Sequence, residues 1–159
     1  MSGPVRVGST DVALILEPIG GLRRLTWLVV SGAGDVMGRV LVVEDETQVL
    51  TIAESVLQQA GYDTLSAATV AEAQAIISDQ GKRFDLLFAD VELGNHKEGG
   101  LTIGKLIGEV RKGTPVLYTS GRTLTDGMKS LFVERSAFLA KPYIAQQLTE
   151  AVAELLRAE

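Results

Sequence analysis

Short apolar runs alternate with helical patterns from Arg39 to the end of the chain. The first run, Arg39-Val-Leu-Val-Val-Glu44, shows no polar alternation, which is typical of a strand buried on both faces of a parallel sheet. Each run is separated from the next by residues with helical spacing, so the pattern predicts strands that alternate with helices. The four further predicted strands are Tyr62 to Ala67, Phe84 to Asp90, Thr114 to Thr119 and Ala137 to Ala140.

The residues between and after these runs predict five helices. Gly61 is expected to end the first helix, and Thr69 begins a capping-box pattern with Glu72 ahead of the second. The fourth helix is the poorest, because Gly127 interrupts it and few aliphatic residues line up. The predicted helices are Val49 to Ala60, a helix after Thr69, a helix carrying Leu101 to Val110, Leu124 to Val133, and an amphipathic helix from Ile144 to Leu155.

Strict alternation of five strands and five helices predicts an α/β fold, a doubly wound five-stranded parallel sheet of flavodoxin-like strand order. Residues 38–159 are expected to form this domain. Residues 1–37 do not join the pattern and are interpreted as an N-terminal extension, within which either a strand or a helix is possible. Its apolar runs are too short for a bilayer span and match a secretory signal poorly. Translation from Met37 is a further hypothesis.

Composition narrows the function classes. The chain has 159 residues, of which 46% are hydrophobic, and its formal net charge is −5. This charge argues against nucleic acid or an anionic membrane as the main partner. The chain has no cysteine, which excludes disulfides and thiolate-ligated metals, and its one histidine, His96, lies in a glycine-rich stretch that reads as a solvated loop.

Polar residues follow the predicted strands at the end of the sheet where ligands bind in open α/β folds. Glu44 and Asp45 follow the first strand, Asp90 ends the third, Thr119 ends the fourth, and Lys141 follows the fifth. If the first and third strands are neighbours, Glu44, Asp45 and Asp90 converge. Three carboxylates at one place would repel one another unless a divalent cation neutralised them, and oxygen ligands favour Mg²⁺. The added ammonium and hydroxyl groups make the site suitable for a tetrahedral dianion.

Each of these residues has an ordinary structural explanation when taken alone. The Glu44-Asp45 pair could lie in a solvated turn, Thr119 could cap a helix, and Lys141 before Pro142 could be a loop residue. Their placement at four strand ends in the right order favours the functional interpretation.

The arrangement resembles the response-regulator receiver family, the CheY-like domains of two-component signalling, which fold as a (βα)5 sandwich. The resemblance covers residues from about Arg39 to the C-terminus and is highly specific. Its motifs are Val40-Leu-Val-Val-Glu-Asp-Glu46, Asp85-Leu-Leu-Phe-Ala-Asp-Val-Glu-Leu93, Pro115-Val-Leu-Tyr-Thr-Ser-Gly121 and Phe138-Leu-Ala-Lys-Pro142.

The resemblance implies a phosphorylation site and a Mg²⁺ site. Asp90 would accept a phosphoryl group from a phosphohistidine on a sensor histidine kinase or a histidine phosphotransfer protein. Asp45 and Asp90 would ligate Mg²⁺ directly, together with the backbone carbonyl of Glu92, while Glu44 would act through water. The Glu92 side chain departs from the commonest pattern and is expected to influence the lifetime of the phosphoryl group.

The resemblance also implies a switch. Lys141 would pair with the phosphoryl oxygens, Thr119 would move to hydrogen-bond them, and Phe138 would swing inward behind Thr119 as the switch aromatic. The weakly helical stretch after Thr123 suits a surface that rearranges, because low local stability is needed there.

These features predict a stand-alone, cytoplasmic response regulator that signals to a downstream protein target, with homodimerisation on phosphorylation possible. It would be no enzyme beyond Mg²⁺-dependent self-phosphorylation and slow autodephosphorylation. The alternative is a pseudo-receiver, an interaction module that works without phosphorylation. A haloacid-dehalogenase-like phosphatase is a poorer match, because it needs an Asp-x-Asp motif and Asp90-Val-Glu92 does not supply one. No glycine-rich loop of nucleotide-binding spacing follows any strand.

Overall fold

The structure is a computed structural model that describes residues 5–7, 10–19, 22–30 and 36–158, with side chains described for 36–158. The chain divides into two units, Met1–Asp35 and Val36–Glu159. In the first unit, β1 (Val5–Val7), β2 (Thr10–Ile19) and β3 (Leu22–Val30) form an antiparallel sheet in that order. Of the strand and the helix left open for this segment, the described residues are strands. The Gly20-Gly21 pair and residues 31–35 lie outside the described residues.

The second unit is a five-stranded parallel sheet with helices between the strands. The strand order is β5-β4-β6-β7-β8, which is the flavodoxin-like order and confirms the predicted doubly wound fold. The elements are β4 (Arg39–Val43), α1 (Thr47–Gln59), β5 (Asp63–Ala67), α2 (Val70–Ser78), β6 (Leu86–Asp90), α3 (Gly99–Val110), β7 (Val116–Ser120), α4 (Asp126–Lys129), β8 (Ser136–Ala140) and α5 (Ala145–Arg157).

Two apolar layers cover the faces of this sheet. Alternate strand residues, such as Leu41 and Leu87, pack with buried residues of α2 and α3, while their neighbours, such as Val40 and Leu86, pack with α1 and α5. All residues of β6 and β7 are buried, whereas the edge strands β5 and β8 are largely half-buried. Burial on both faces explains why the central strands read as unbroken apolar runs.

Helix ends follow the predictions except at α4. The Thr69 hydroxyl accepts the amide N–H of Glu72 at 3.1 Å and so begins α2 as the capping pattern predicted. The predicted helix from Leu124 to Val133 is wrong in length, because α4 spans only Asp126–Lys129. Gly127 occupies one of its four positions and none of them is buried, so neither helix propensity nor packing extends the helix.

Two glycines let α3 approach the sheet closely. A Cβ atom on Gly104 would lie 2.1 Å from the hydroxyl oxygen of Tyr118, which is fully buried in β7. A Cβ atom on Gly100, one turn earlier, would lie 2.2 Å from the carbonyl oxygen of Asp90. The first turn of α3 therefore packs directly on the backbone at the end of β6.

Gly104→Ala is expected to destabilise the protein, because the added methyl group overlaps the rigid Tyr118 ring at an overpacking cost of about 1–3 kcal/mol. The better helix propensity of alanine offsets about 1 kcal/mol of this cost, so the expected net loss is up to about 2 kcal/mol. Urea unfolding of both proteins measures the difference. In the control Gly127→Ala, the nearest atom to the new Cβ is 3.8 Å away, so no loss is expected. Tyr118→Phe should recover part of the loss in the double variant, and a Gly104→Ala protein as stable as wild type would contradict this account.

Candidate functional site

Three carboxylates meet at the carboxyl end of the sheet. Glu44 directly follows β4 and Asp90 ends β6, and these two strands are neighbours. One carboxylate oxygen from each of Glu44, Asp45 and Asp90 lies within 4.8 Å of the other two. Glu44 and Asp90 are only 4% and 6% exposed, while Asp45 is exposed. The convergence predicted for these three residues is present in the structure.

Lys141, which follows β8, supplies the ammonium group of the cluster. Its Nζ donates to Asp90 Oδ2 at 2.5 Å and to Glu44 Oε2 at 2.9 Å. The Lys141 amide N–H donates to the Ser120 carbonyl at 3.0 Å, which anchors the residue beside the end of β7. The long side chain thus returns from the edge of the sheet to its centre.

Burial and pairing act in opposite directions on the two partners of this ion pair. Burial alone would lower the pKa of Lys141, but its hydrogen bonds to Asp90 and Glu44 raise the pKa above the ordinary lysine value. For Glu44, burial raises the pKa, and the hydrogen bonds from Lys141 and from the Glu46 amide offset this only in part. The ammonium group of Lys141 therefore does not fully offset the burial of Glu44.

Backbone amides orient the carboxylates. The Glu92 N–H donates to Asp90 Oδ1 at 3.0 Å, and the Gly94 N–H donates to Asp45 Oδ2 at 2.9 Å. Gly94 has a φ of +58°, which turns the chain after β6 back toward Asp45. The loop between β6 and α3 thus holds two carboxylates that come from different strands.

Thr119 lies next to the cluster, but its hydroxyl group points away from it. Thr119 pairs with Asp90 in the register of β6 and β7, and its hydroxyl donates to the Leu139 carbonyl in β8 at 2.7 Å. Phe138 is half-buried, with its ring centroid 6.5 Å from that of Phe132. Together with Lys141, it lines an open pocket beside the acidic cluster.

An ion pair that the sequence pattern does not predict lies at the entrance to the cluster. Arg122 Nε is 3.0 Å from Glu92 Oε1, and the two side chains are 60% and 32% exposed. Both residues line an open pocket of about 320 Å³ above Asp90, together with Lys141. The only sequence signal for Arg122 is its position two residues after the polar end of β7.

The comparisons with known proteins agree with this geometry. The model of the response regulator receiver domain family matches residues 40–153. The alginate biosynthesis transcriptional regulatory protein AlgB of Pseudomonas putida is 29% identical over 128 residues, which cover 78% of this chain and 27% of that protein. The response regulator protein PilR of Pseudomonas aeruginosa is 31% identical over 120 residues, 75% of this chain and 26% of that protein.

The chain thus spans about a quarter of the length of the curated relatives it matches. Among solved structures, a response regulator receiver protein from Sinorhizobium medicae is similar, with a TM-score of 0.69 and 28% identity over 76% of this chain and 94% of that one. Within the described residues, no helix has the length and apolar character needed to cross a membrane. On the family match and the fold, the chain belongs to the response regulator receiver domain family of two-component systems.

Proposed function

We propose that Asp90 accepts a phosphoryl group from a phosphohistidine on a sensor histidine kinase or a histidine phosphotransfer protein. The observation that carries the proposal is the position of Asp90: its buried carboxylate forms the floor of an open pocket and is held by the ammonium group of Lys141. Two more carboxylates adjoin it. A structural ion pair alone would not need this surplus of buried negative charge.

The transfer requires a carboxylate oxygen that faces the pocket and a fixed cation beside it. An Asp90 oxygen attacks the phosphorus, the bond between phosphorus and the histidine nitrogen breaks, and the imidazole keeps the electron pair. Lys141 stays protonated and pairs with the charge that gathers on the phosphoryl oxygens. The Thr119 hydroxyl leaves the Leu139 carbonyl to donate to the same oxygens, and Phe138 moves into the space behind it.

The donor set fits Mg²⁺. The donors are oxygens only, and three carboxylates converge on a single ammonium group. Asp45 and Asp90 would hold the ion directly with the Glu92 backbone carbonyl, and Glu44 would act through water. When bound, the ion neutralises charge on the transferring group. This chain's own residues orient the acceptor oxygen and supply the second positive charge.

Signalling would then pass by contact with a downstream protein. Receiver domains interact with histidine kinases and with downstream effectors, and the net charge of −5 gives this chain no overall attraction to nucleic acid. The chain would catalyse no reaction besides its own phosphorylation and the slow loss of that phosphoryl group. Stand-alone action and dimerisation on phosphorylation belong to the same proposal.

Incubation with acetyl phosphate and Mg²⁺ is expected to add one phosphoryl group to the wild-type protein, because the Asp90 carboxylate lines an open pocket beside the ammonium group of Lys141. Asp90→Asn should remove the modification, and Asp126→Asn, which changes an exposed aspartate in α4, should keep it. Intact mass and a phosphate-affinity gel measure both. A wild-type protein that stays unmodified with Mg²⁺ present would favour a phosphorylation-independent interaction module.

Mg²⁺ is expected to stabilise the wild-type protein against unfolding, because only the folded chain brings the three carboxylates together. At a concentration tenfold above the dissociation constant, the gain should be about 1.4 kcal/mol. Asp45→Asn removes an exposed carboxylate and should reduce the gain without unfolding the protein. Thermal unfolding with and without Mg²⁺ measures this, with Asp126→Asn as the matched control. Equal gains for Asp45→Asn and wild type would contradict the site.

Glu44→Gln is expected to stabilise the Mg²⁺-free protein at pH 7 by about 1 kcal/mol. Burial raises the pKa of Glu44, so the folded chain binds its proton more tightly than the unfolded chain does. That contribution to stability is present below pH 4.5, the ordinary value, and is lost as the pH rises through the folded pKa. The advantage of the glutamine should therefore shrink as the pH falls.

Urea unfolding in EDTA at pH 7 and pH 4.5 measures the difference between Glu44→Gln and wild type. Glu109→Gln changes an exposed glutamate of α3 and should have little effect at either pH. A Glu44→Gln protein less stable than wild type at pH 7 would show that the bond to Lys141 outweighs the cost of burial.

A further inference from the structure

We propose that Arg122 is a positioning residue that prolongs the phosphorylated state of Asp90 by holding the Glu92 carboxylate in an ion pair at the rim of the pocket. This inference rests on the proposed function. It concerns the loss of the phosphoryl group, whereas the proposed function concerns its arrival. The ion pair joins the loop that follows β6 to the loop that follows β7.

Hydrogen bonds hold the backbone of both residues of the ion pair. The Arg122 amide N–H donates at 3.0 Å to the hydroxyl of Ser120, which is 1% exposed. The Glu92 amide N–H donates at 3.0 Å to Asp90 Oδ1, so the backbone of Glu92 is tied to the phosphoacceptor itself. The two side chains then meet at the opening of the pocket, where Arg122 Nε lies 3.0 Å from Glu92 Oε1.

A role in folding does not account for this ion pair. The side chains are 60% and 32% exposed, and ion pairs at such positions contribute little to stability because water and salt screen them. By contrast, the ion pair of Lys141 with Asp90 is largely buried, with side chains 22% and 8% exposed. The Glu92–Arg122 pair is therefore breakable at low cost, and its position over the pocket is the feature that needs an explanation.

Hydrolysis of the phosphorylated aspartate requires water to reach the phosphorus through this opening. The water oxygen attacks the phosphorus, the bond between phosphorus and the Asp90 oxygen breaks, and the water proton leaves to a nearby base. Glu92 is the carboxylate two residues from Asp90, and when unpaired it is suited to orient the water and accept its proton. Pairing with Arg122 both occupies that carboxylate and neutralises it.

The chemistry allows a competing role, in which Arg122 leaves Glu92 and binds the phosphoryl oxygens directly. Guanidinium groups bind phosphate well, so this role is physically sound. The two roles differ in their dependence on Glu92. If Arg122 acts through Glu92, its removal has no consequence once the carboxylate is gone; if it acts on the phosphoryl group, the consequence persists.

The test is a double-variant cycle on the full chain. Wild type, Arg122→Ala, Glu92→Gln and the double variant are phosphorylated with acetyl phosphate and Mg²⁺, freed of the donor, and followed by phosphate-affinity gel as the phosphoryl group is lost. Arg122→Ala is expected to shorten the lifetime about two- to fivefold, the factor that an exposed ion pair can supply. In the Glu92→Gln background, the same substitution should change the lifetime little.

Two controls separate positioning from general destabilisation. Arg122→Lys keeps the charge at the rim and should restore most of the lifetime, which a loss of structure would not allow. Arg157→Ala removes an exposed arginine from the end of α5 and should leave the lifetime unchanged. Thermal unfolding of each variant checks that the fold is retained.

The outcomes distinguish this inference from the proposed function. A wild-type protein that takes up no phosphoryl group overturns both. A protein that is phosphorylated on Asp90 but has an equal or longer lifetime in Arg122→Ala overturns the role of Arg122 alone. An equal shortening with and without the Glu92 carboxylate also overturns it and assigns Arg122 to the phosphoryl group instead.

Discussion

The bond of the Lys141 ammonium group to two buried carboxylates is the interaction on which the rest of the site depends. Glu44 and Asp90 are nearly inaccessible, and an isolated buried carboxylate costs several kcal/mol. Lys141 reduces that cost at distances of 2.5 and 2.9 Å. Lys141 follows the edge strand β8, whereas Glu44 follows β4 and Asp90 ends β6, which are inner strands. The hydrogen bonds of Lys141 therefore also tie the edge of the sheet to its centre. The geometry of the site therefore depends on the order of the strands in the sheet.

The single positive charge of Lys141 does not balance the two buried carboxylates with which it pairs. Burial raises the pKa of Glu44 even though Lys141 donates to it, which means that burial favours the protonated form of this carboxyl group. Buried ionisable groups with shifted pKa values are common at sites that bind a cation or a charged group. The exposed Asp45 extends the cluster toward the open pocket rather than into the core. The surplus negative charge thus faces the open pocket.

Much of this arrangement follows from the sequence because the parallel sheet brings its strand ends together. The unbroken apolar run before Glu44 predicts burial on both faces, and strand order then brings Glu44 and Asp90 together. The Glu92–Arg122 pair could not be predicted, because it joins two loops whose paths depend on tertiary packing. The length of α4 could not be predicted either. Helical spacing beyond Lys129 does not show that Phe132 stacks on Tyr118, with ring centroids 4.2 Å apart, rather than continuing the helix. The sequence also does not show that Tyr118 occupies the space beside Gly104 where a side chain would lie.

The free energy of a single hydrogen bond limits what Thr119 can contribute to the proposed switch. The Thr119 hydroxyl donates to the neutral Leu139 carbonyl, a bond worth about 1 kcal/mol net, whereas a bond to a charged acceptor is worth about 1.5–3 kcal/mol. Exchanging the first for the second would favour the rearranged state by about 0.5–2 kcal/mol, far less than the roughly 5.5 kcal/mol needed to invert a population from 1:99 to 99:1. Thr119 alone therefore cannot drive a complete switch. A complete switch would require either two states that already lie close in energy, as a four-residue α4 with no buried side chain would permit, or a further contribution from the repacking of Phe138.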